Sequence, residues 1–323
     1  MMRLLTIQPL RRGPLLIAAM VAAILAMMLP PTTAHAAAPT VIHIAPDGDD
    51  SGSGSEASPF RTLAKANAHL EETKPATDVE VRLAPGTYTE TGTRWTYHSE
   101  HATLITGDGG TATFSGQDTY GNYILKFGPE GTDRVAMNLT VRHLGFTGSS
   151  NGLQVINATT VTLSSLVFNK IGTHYTGIGT GYAALSIQNV SGVGVWSPKF
   201  TDIVNTADQQ GLVHAIYAAN NADNITVHDP VVSRVSGDPL RFRNGSDNFV
   251  INGGSVSNSG RYSAFSEWYN DTIDEARSTG ARFEGVSVTT QGFDAPLVHG
   301  RTACFASSAG TTPITPCSIT DIP

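Results

Sequence analysis

The chain has 323 residues, 33 of them glycine, with 40% hydrophobic and only 15% charged residues, enough for one sizeable core or for two domains. A mean hydropathy of −0.07 argues against a multi-span membrane protein, and 20 Lys+Arg against 27 Asp+Glu give a net charge of −7, which disfavours a cationic nucleic-acid binder. Two cysteines exclude a disulfide-dense scaffold and a multi-cysteine metal cluster.

Arg3, Arg11 and Arg12 precede an apolar run, Leu15 to Leu29, followed by Pro30, Pro31 and the small-residue signal Ala34-His35-Ala36. This reads as a secretory leader over 1–36, cleaved after Ala36 or alternatively Ala38, with an uncleaved membrane anchor as the competing reading. The Arg11-Arg12 pair is a weak sign of twin-arginine export. The remainder, 37–323, is expected to be one domain with terminal caps: acidic, extracellular, free of the membrane and monomeric. Further along, Ser58 as cap, Pro59 in a first turn and the apolar Leu63, Ala66, Ala68 and Leu70 predict a short helix.

From residue 139 an internal repeat appears. Leu139-x-Val141-x-x-Leu144-x-Phe146 recurs with starts at Val161, Val193, Ile225, Phe249 and Ala281, separated by 22, 32, 32, 24 and 32 residues. Such spacing suits solenoid coils that share strands and differ in loop length. A second column runs Leu153-x-Val155-x-Asn157, Leu185-x-Ile187-x-Asn189, Ile216-x-Ala218-x-Asn220, Leu240-x-Phe242-x-Asn244 and Ser266-x-Trp268-x-Asn270. Alternation places the first two members of each inward, and the closing Asn suits a left-handed turn whose amides satisfy one another along the stack. With no repeated helix signal, the fold class is all-β: a parallel β-solenoid with a short N-terminal capping helix.

On these columns the chain resembles the right-handed parallel β-helix of the pectate-lyase-like superfamily. Val41-Ile42-His43-Ile44-Ala45-Pro46-Asp47-Gly48, a Gly/Ser-rich loop, Ser58-Pro59-Phe60-Arg61-Thr62-Leu63 and Val79 to Tyr88 also resemble the opening of many secreted β-helix proteins. The resemblance spans about residues 41 to 300. It implies activity mostly on polysaccharides, with the lyases abstracting the proton beside a uronic carboxylate that calcium or positive side chains neutralise. No clustered-aspartate calcium motif stands on the repeats, nor the closely placed aspartates of polygalacturonases. No cofactor is therefore assigned, and Ca2+ stays open.

Inward residues fill a solenoid's core, so chemistry is sought on an outer sheet. The outward rows of the second column are Gln154, Ser186, Tyr217, Arg241 and Glu267, then Ile156, Gln188, Ala219, Arg243 and Tyr269, with His214 and Asp238 just upstream of two strands. They predict a polar and aromatic ribbon for an extended extracellular polymer. His214, Tyr217, Asp238, Arg241 and Glu267 are the candidate catalytic group, since imidazole, phenol and carboxylates move protons and arginine holds carboxylate. Ser186, Gln188, Arg243, Tyr269 and Lys199 are candidate substrate contacts. The competing reading of Arg241 is a surface network with Glu267 and Asp238.

The loops Asn169 to Ala183, with Lys170, His174 and Tyr175, and Pro198 to Leu212, with Lys199, Asp202, Asp208 and Gln209, could wall a groove. Trp196 and Trp268 are candidate sugar-stacking faces, although register predicts Trp268 inward. Asp47, Asp49 and Asp50 form a weak cation candidate. Cys304 and Cys317, in a compartment that permits oxidation, are expected to form a disulfide. The leading functional expectation is a lyase of acidic, uronate-containing glycan acting by β-elimination. The alternatives are a glycoside hydrolase on the same fold, a non-catalytic glycan-binding or attachment protein, and a structural fibre-like β-helix.

Overall fold

The computed structural model describes residues 37–172, 182–205, 210–270, 273–289 and 292–297, with short strands at 305–306, 312–313 and 317–320. The chain divides into two units, Met1–Ala38 and Pro39–Pro323. The expected leader, His174, Tyr175, Asp208, Gln209 and Cys304 lie outside the described residues, and with Cys304 the expected disulfide.

Twenty-one strands of the described residues form one sheet, and its strands pair in parallel from coil to coil. Each coil presents three faces in turn: face A, including Val213–Ala219 and Leu240–Arg243; face B, including Asp223–His228 and Phe249–Asn252; and face C, including Lys199–Ile203 and Val231–Val235. This is the expected parallel β-solenoid, right-handed as strand twist favours for parallel crossovers.

The sequence columns are these faces. Leu139, Val161, Val193, Ile225 and Phe249 stand in register on face B. The two-residue gap in each repeat is a corner. His143, Ser165, Ser197, Asp229, Gly253 and Gly285 all have φ between 49° and 67°, and one left-handed residue turns the chain onto face C while returning the next apolar side chain to the core. There Tyr88, Phe114, Phe146, Phe168 and Phe200 stack with centroids 4.9–5.9 Å apart.

The second corner, from face A to face B, belongs to Asn157, Asn189, Asn220 and Asn244, with φ of 47–57°. Asn189 Nδ2 donates to Asn157 Oδ1 at 2.9 Å and Asn244 Nδ2 to Asn220 Oδ1 at 3.0 Å. Between Asn189 and Asn220 the amide ladder breaks. Arg134 Nε donates to Asn189 Oδ1 at 3.1 Å, and Asn220 turns to Gln188 Oε1 at 3.3 Å.

Two expectations are corrected. Helix α1 spans Leu63–Thr73 and is capped by Thr62, whose Oγ1 accepts from Lys65 N at 3.1 Å; Ser58 and Pro59 lie before it. Asp50 fixes this start by accepting from the backbone N–H groups of Arg61 and Thr62 and from the Thr62 hydroxyl. Leu63, Ala66 and Leu70 are buried, but Ala68 is exposed.

The last coil is shifted by one residue. Leu240 pairs with Phe265 and Phe242 with Glu267, so Phe265 points inward, 5.1 Å from Phe242 and from Phe283, while Ser266 and Trp268 take outward positions. Burying a phenylalanine ring is worth about 2–3 kcal/mol, more than an inward serine could return. Asn270 stands at the position of a closing Asn in the sequence column, but it has no left-handed backbone and does not mark the corner of this coil.

Candidate functional site

The outward rows of face A run Gln154, Ser186, Tyr217, Arg241, Ser266 and Ile156, Gln188, Ala219, Arg243, Trp268. Through the fourth coil they match the expected rows. In the fifth, Ser266 and Trp268 replace Glu267 and Tyr269. The rows are also less accessible than expected: Gln154, Ser186 and Ser266 are buried, and Tyr217 and Arg241 are only 4% and 5% exposed.

Asp238, in the turn before strand Leu240–Arg243, organises the centre. Its Oδ2 meets Arg241 Nη2 at 2.5 Å, and its Oδ1 accepts from the backbone N–H groups of Arg261, Tyr262 and Ser263 at 3.2, 2.7 and 3.1 Å. Burial alone would raise this carboxyl. The Arg241 charge and the Tyr262 and Ser263 N–H groups outweigh burial and hold it below the ordinary value. Arg241 also donates to Ser266 Oγ at 3.1 Å, and its guanidinium lies 4.7 Å from the Trp268 ring centroid. The competing network reading of Arg241 thus holds for Asp238 but not for Glu267.

His214, 1% exposed, sits beside this pair. Its Nδ1 lies 2.7 Å from the carbonyl oxygen of Asp238. A carbonyl only accepts, so Nδ1 carries the proton and the neutral ring keeps its lone pair on Nε2. Burial, then the Arg241 charge, hold His214 well below the ordinary imidazole value. The His214 and Tyr217 rings stack with centroids 5.5 Å apart. Burial pushes the Tyr217 phenol up, keeping it protonated, and the nearby Arg243 and Arg241 charges only partly oppose that shift. Arg243 Nε in turn reaches Glu275 Oε1 and Oε2 at 3.0 and 2.8 Å.

Four expected residues, His214, Tyr217, Asp238 and Arg241, therefore converge, with Arg243 adjoining them. Ser186 and Gln188 lie on the preceding coil, joined by a 3.0 Å bond from Gln188 Nε2 to Ser186 Oγ. Glu267 does not join them. It points to the core side, takes the Ser278 N–H at 2.5 Å and Arg277 at 3.5 Å, and burial raises its pKa. Tyr269 packs partly buried against the core, with the Arg277 guanidinium 5.2 Å from its ring. Lys199 stands on face C, between Val167 and Val231. Glu275 escaped the sequence reading because it lies in an irregular loop with no periodic signal. Ser266 and Trp268 were hidden by the register shift.

No family model and no curated protein matches the chain. Among solved structures, it is similar to pectate lyase Pel9A with a TM-score of 0.47 and 14% identity, covering 90% of this chain and 81% of that one. A Geobacillus virus E2 protein, ORF18, gives 0.40 and 12%, covering 97% of this chain and 66% of that one. A rhamnogalacturonan lyase gives 0.36 and 11%, covering 87% and 88%. These low-identity likenesses concern a mostly parallel β-sheet build.

Among the described residues no group of three or more His, Cys, Asp or Glu is placed to hold a metal ion. Both oxygens of Asp238 and of Glu275 accept hydrogen bonds. Asp49 and Asp50 are likewise engaged, Asp49 Oδ1 with Ser51 N at 2.9 Å and Asp50 with the start of α1. The described residues also include no helix long and apolar enough to cross a membrane.

Proposed function

We propose that the chain is an exported carbohydrate-active enzyme that cleaves an acidic, uronate-containing polysaccharide by β-elimination on face A. The observation that carries this reading is the 2.7 Å contact of His214 Nδ1 with the Asp238 carbonyl, which assigns the base to Nε2 of an imidazole stacked on the Tyr217 phenol. Nε2 removes the proton beside the uronic carboxylate, the bond to the leaving oxygen breaks as the double bond forms, and Tyr217 protonates that oxygen. Proton return from His214 to Tyr217 resets the pair. Arg243, the more exposed arginine, meets the substrate carboxylate, while Arg241 positions His214 and Asp238 from beneath.

Hydrolysis is less well supported. It calls for a carboxylic acid held protonated beside a second carboxylate, whereas Asp238 is held ionised and Glu275 is tied to Arg243. A binding-only role draws support from the carboxylate partner of each arginine, which leaves the cluster with no net charge. Because His214 and Tyr217 are buried, elimination also requires face A to open when polymer binds.

Incubating the chain with polygalacturonate, alginate, a glycosaminoglycan and neutral glycans separates these readings. New reducing ends accompanied by unsaturated-uronate absorbance are expected on an acidic polymer. New ends without absorbance would establish hydrolysis, and tight binding without new ends would establish a binding protein.

A further inference from the structure

Outward on face B, at its corner with face C, lies a feature that the face A chemistry leaves unused. Trp196 is 46% exposed, and Val167 and Val231, at 39% and 45%, lie across the same corner. The Trp196 and His228 rings are stacked, 3.8 Å between centroids and 6° from parallel. Because these residues occupy neighbouring coils, the ring planes cut across the solenoid axis. A Cβ on Gly194 would stand 3.1 Å from Trp196 Nε1, so the absence of a side chain there lets the indole lie back over the sheet.

The opposite face of the indole looks along the axis over Ser164, and the next residue in the row is Arg142. Two coil spacings, about 9–10 Å, separate Trp196 from Arg142, enough for one sugar ring against the indole with hydroxyl partners on Ser164 and Thr162. Arg142 is exposed and its Nε donates to Thr106 Oγ1 at 3.2 Å; Lys199 is exposed across the corner. Neither makes an ion pair with a described residue, in contrast to Arg241 and Arg243 on face A.

We propose that Trp196, stacked on His228 and flanked by Arg142 and Lys199, is a second glycan-binding site that takes a pyranose ring of an acidic polysaccharide. The indole meets the apolar face of the sugar ring, and the two cations answer its carboxylate or sulfate. The choice of an acidic polymer follows from those cations. The site binds whether or not face A is catalytic.

The test is titration of the full chain with hexamers of oligogalacturonate, oligomannuronate and hyaluronan, and with neutral xylohexaose, followed by calorimetry. At least one acidic hexamer should bind more tightly than xylohexaose. Trp196→Ala should weaken that binding by about tenfold, the size of an aromatic contact, and Trp196→Phe should restore part of it. Arg142→Ala with Lys199→Ala should weaken it severalfold and flatten its salt dependence. Thermal unfolding checks that each variant is folded, and an exposed corner predicts little change.

Failure of every acidic hexamer to bind, equal binding of xylohexaose, or unchanged affinity in Trp196→Ala would overturn the proposal. So would self-association in sedimentation that Trp196→Ala abolishes, which would make the corner a protein contact. Cleavage by Trp196→Ala of any hexamer that the unaltered chain cleaves separates this site from face A.

Discussion

Asp238 performs three tasks with three oxygens, its two carboxylate oxygens and its backbone carbonyl. It neutralises a buried guanidinium, ties down three successive N–H groups and, through its own carbonyl, sets the tautomer of His214. Removing one partner of a buried ion pair strands the other charge, at a cost of about 3–5 kcal/mol. Asp238→Ala should therefore lower unfolding free energy by that amount in urea titration, and adding Arg241→Met should recover part of it. A loss below about 1 kcal/mol would mean that the pair is not buried in solution.

Glu90 offers a separate test. Its Oε2 accepts from Leu63 N at 2.8 Å at the start of α1, and burial raises its pKa from 4.5 to about 7. With the folded value above the unfolded one, the folded state holds the proton more tightly. That stabilisation is complete below about pH 4.5 and is lost as pH rises through about 7. Glu90→Gln, neutral throughout, should match the unaltered chain near pH 4.5 and exceed it by about 1–3 kcal/mol at pH 8. A difference independent of pH would contradict the assignment. Residue chemistry was legible where partners lie close in sequence, as Asp238 and Arg241 do. It was not legible for Glu90 or Glu275, whose partners are brought together only by the fold.

At the scale of strands and corners, the two left-handed turns per coil carry the architecture. Asn244 shows how: its φ is 51°, its Nδ2 reaches Asn220, and its Oδ1 accepts from Ala276 N at 3.2 Å. Glycine at 244 keeps the backbone freedom and loses both bonds, whereas alanine loses the bonds and adds strain of about 1 kcal/mol. In urea, Asn244→Ala should be the less stable of the two by roughly that amount. Equal stabilities would remove backbone conformation from the explanation. The corners were legible because the offset they impose on the apolar alternation repeats six times. The register of strand Phe265–Trp268 was not, because an Asn outside the ladder imitated its closing residue.

For the whole molecule, stacking turns a weak sequence period into three continuous faces, and face A gathers His214, Tyr217, Asp238, Arg241 and Arg243 from two successive coils. Their convergence was legible, since residues at matching positions of successive coils must be neighbours. Their burial was not, since period-two alternation separates inward from outward but says nothing of what lies over an outward row. The decisive measurement is the time course of unsaturated-uronate absorbance on the responsive acidic polymer, for the unaltered chain and for His214→Gln and Tyr217→Phe. With His214 as base and Tyr217 as acid, absorbance should rise with the unaltered chain and fall by about 10²–10⁴-fold in rate in each variant, with folding intact. Undiminished elimination in His214→Gln, or chain cleavage that produces no absorbance, would contradict it.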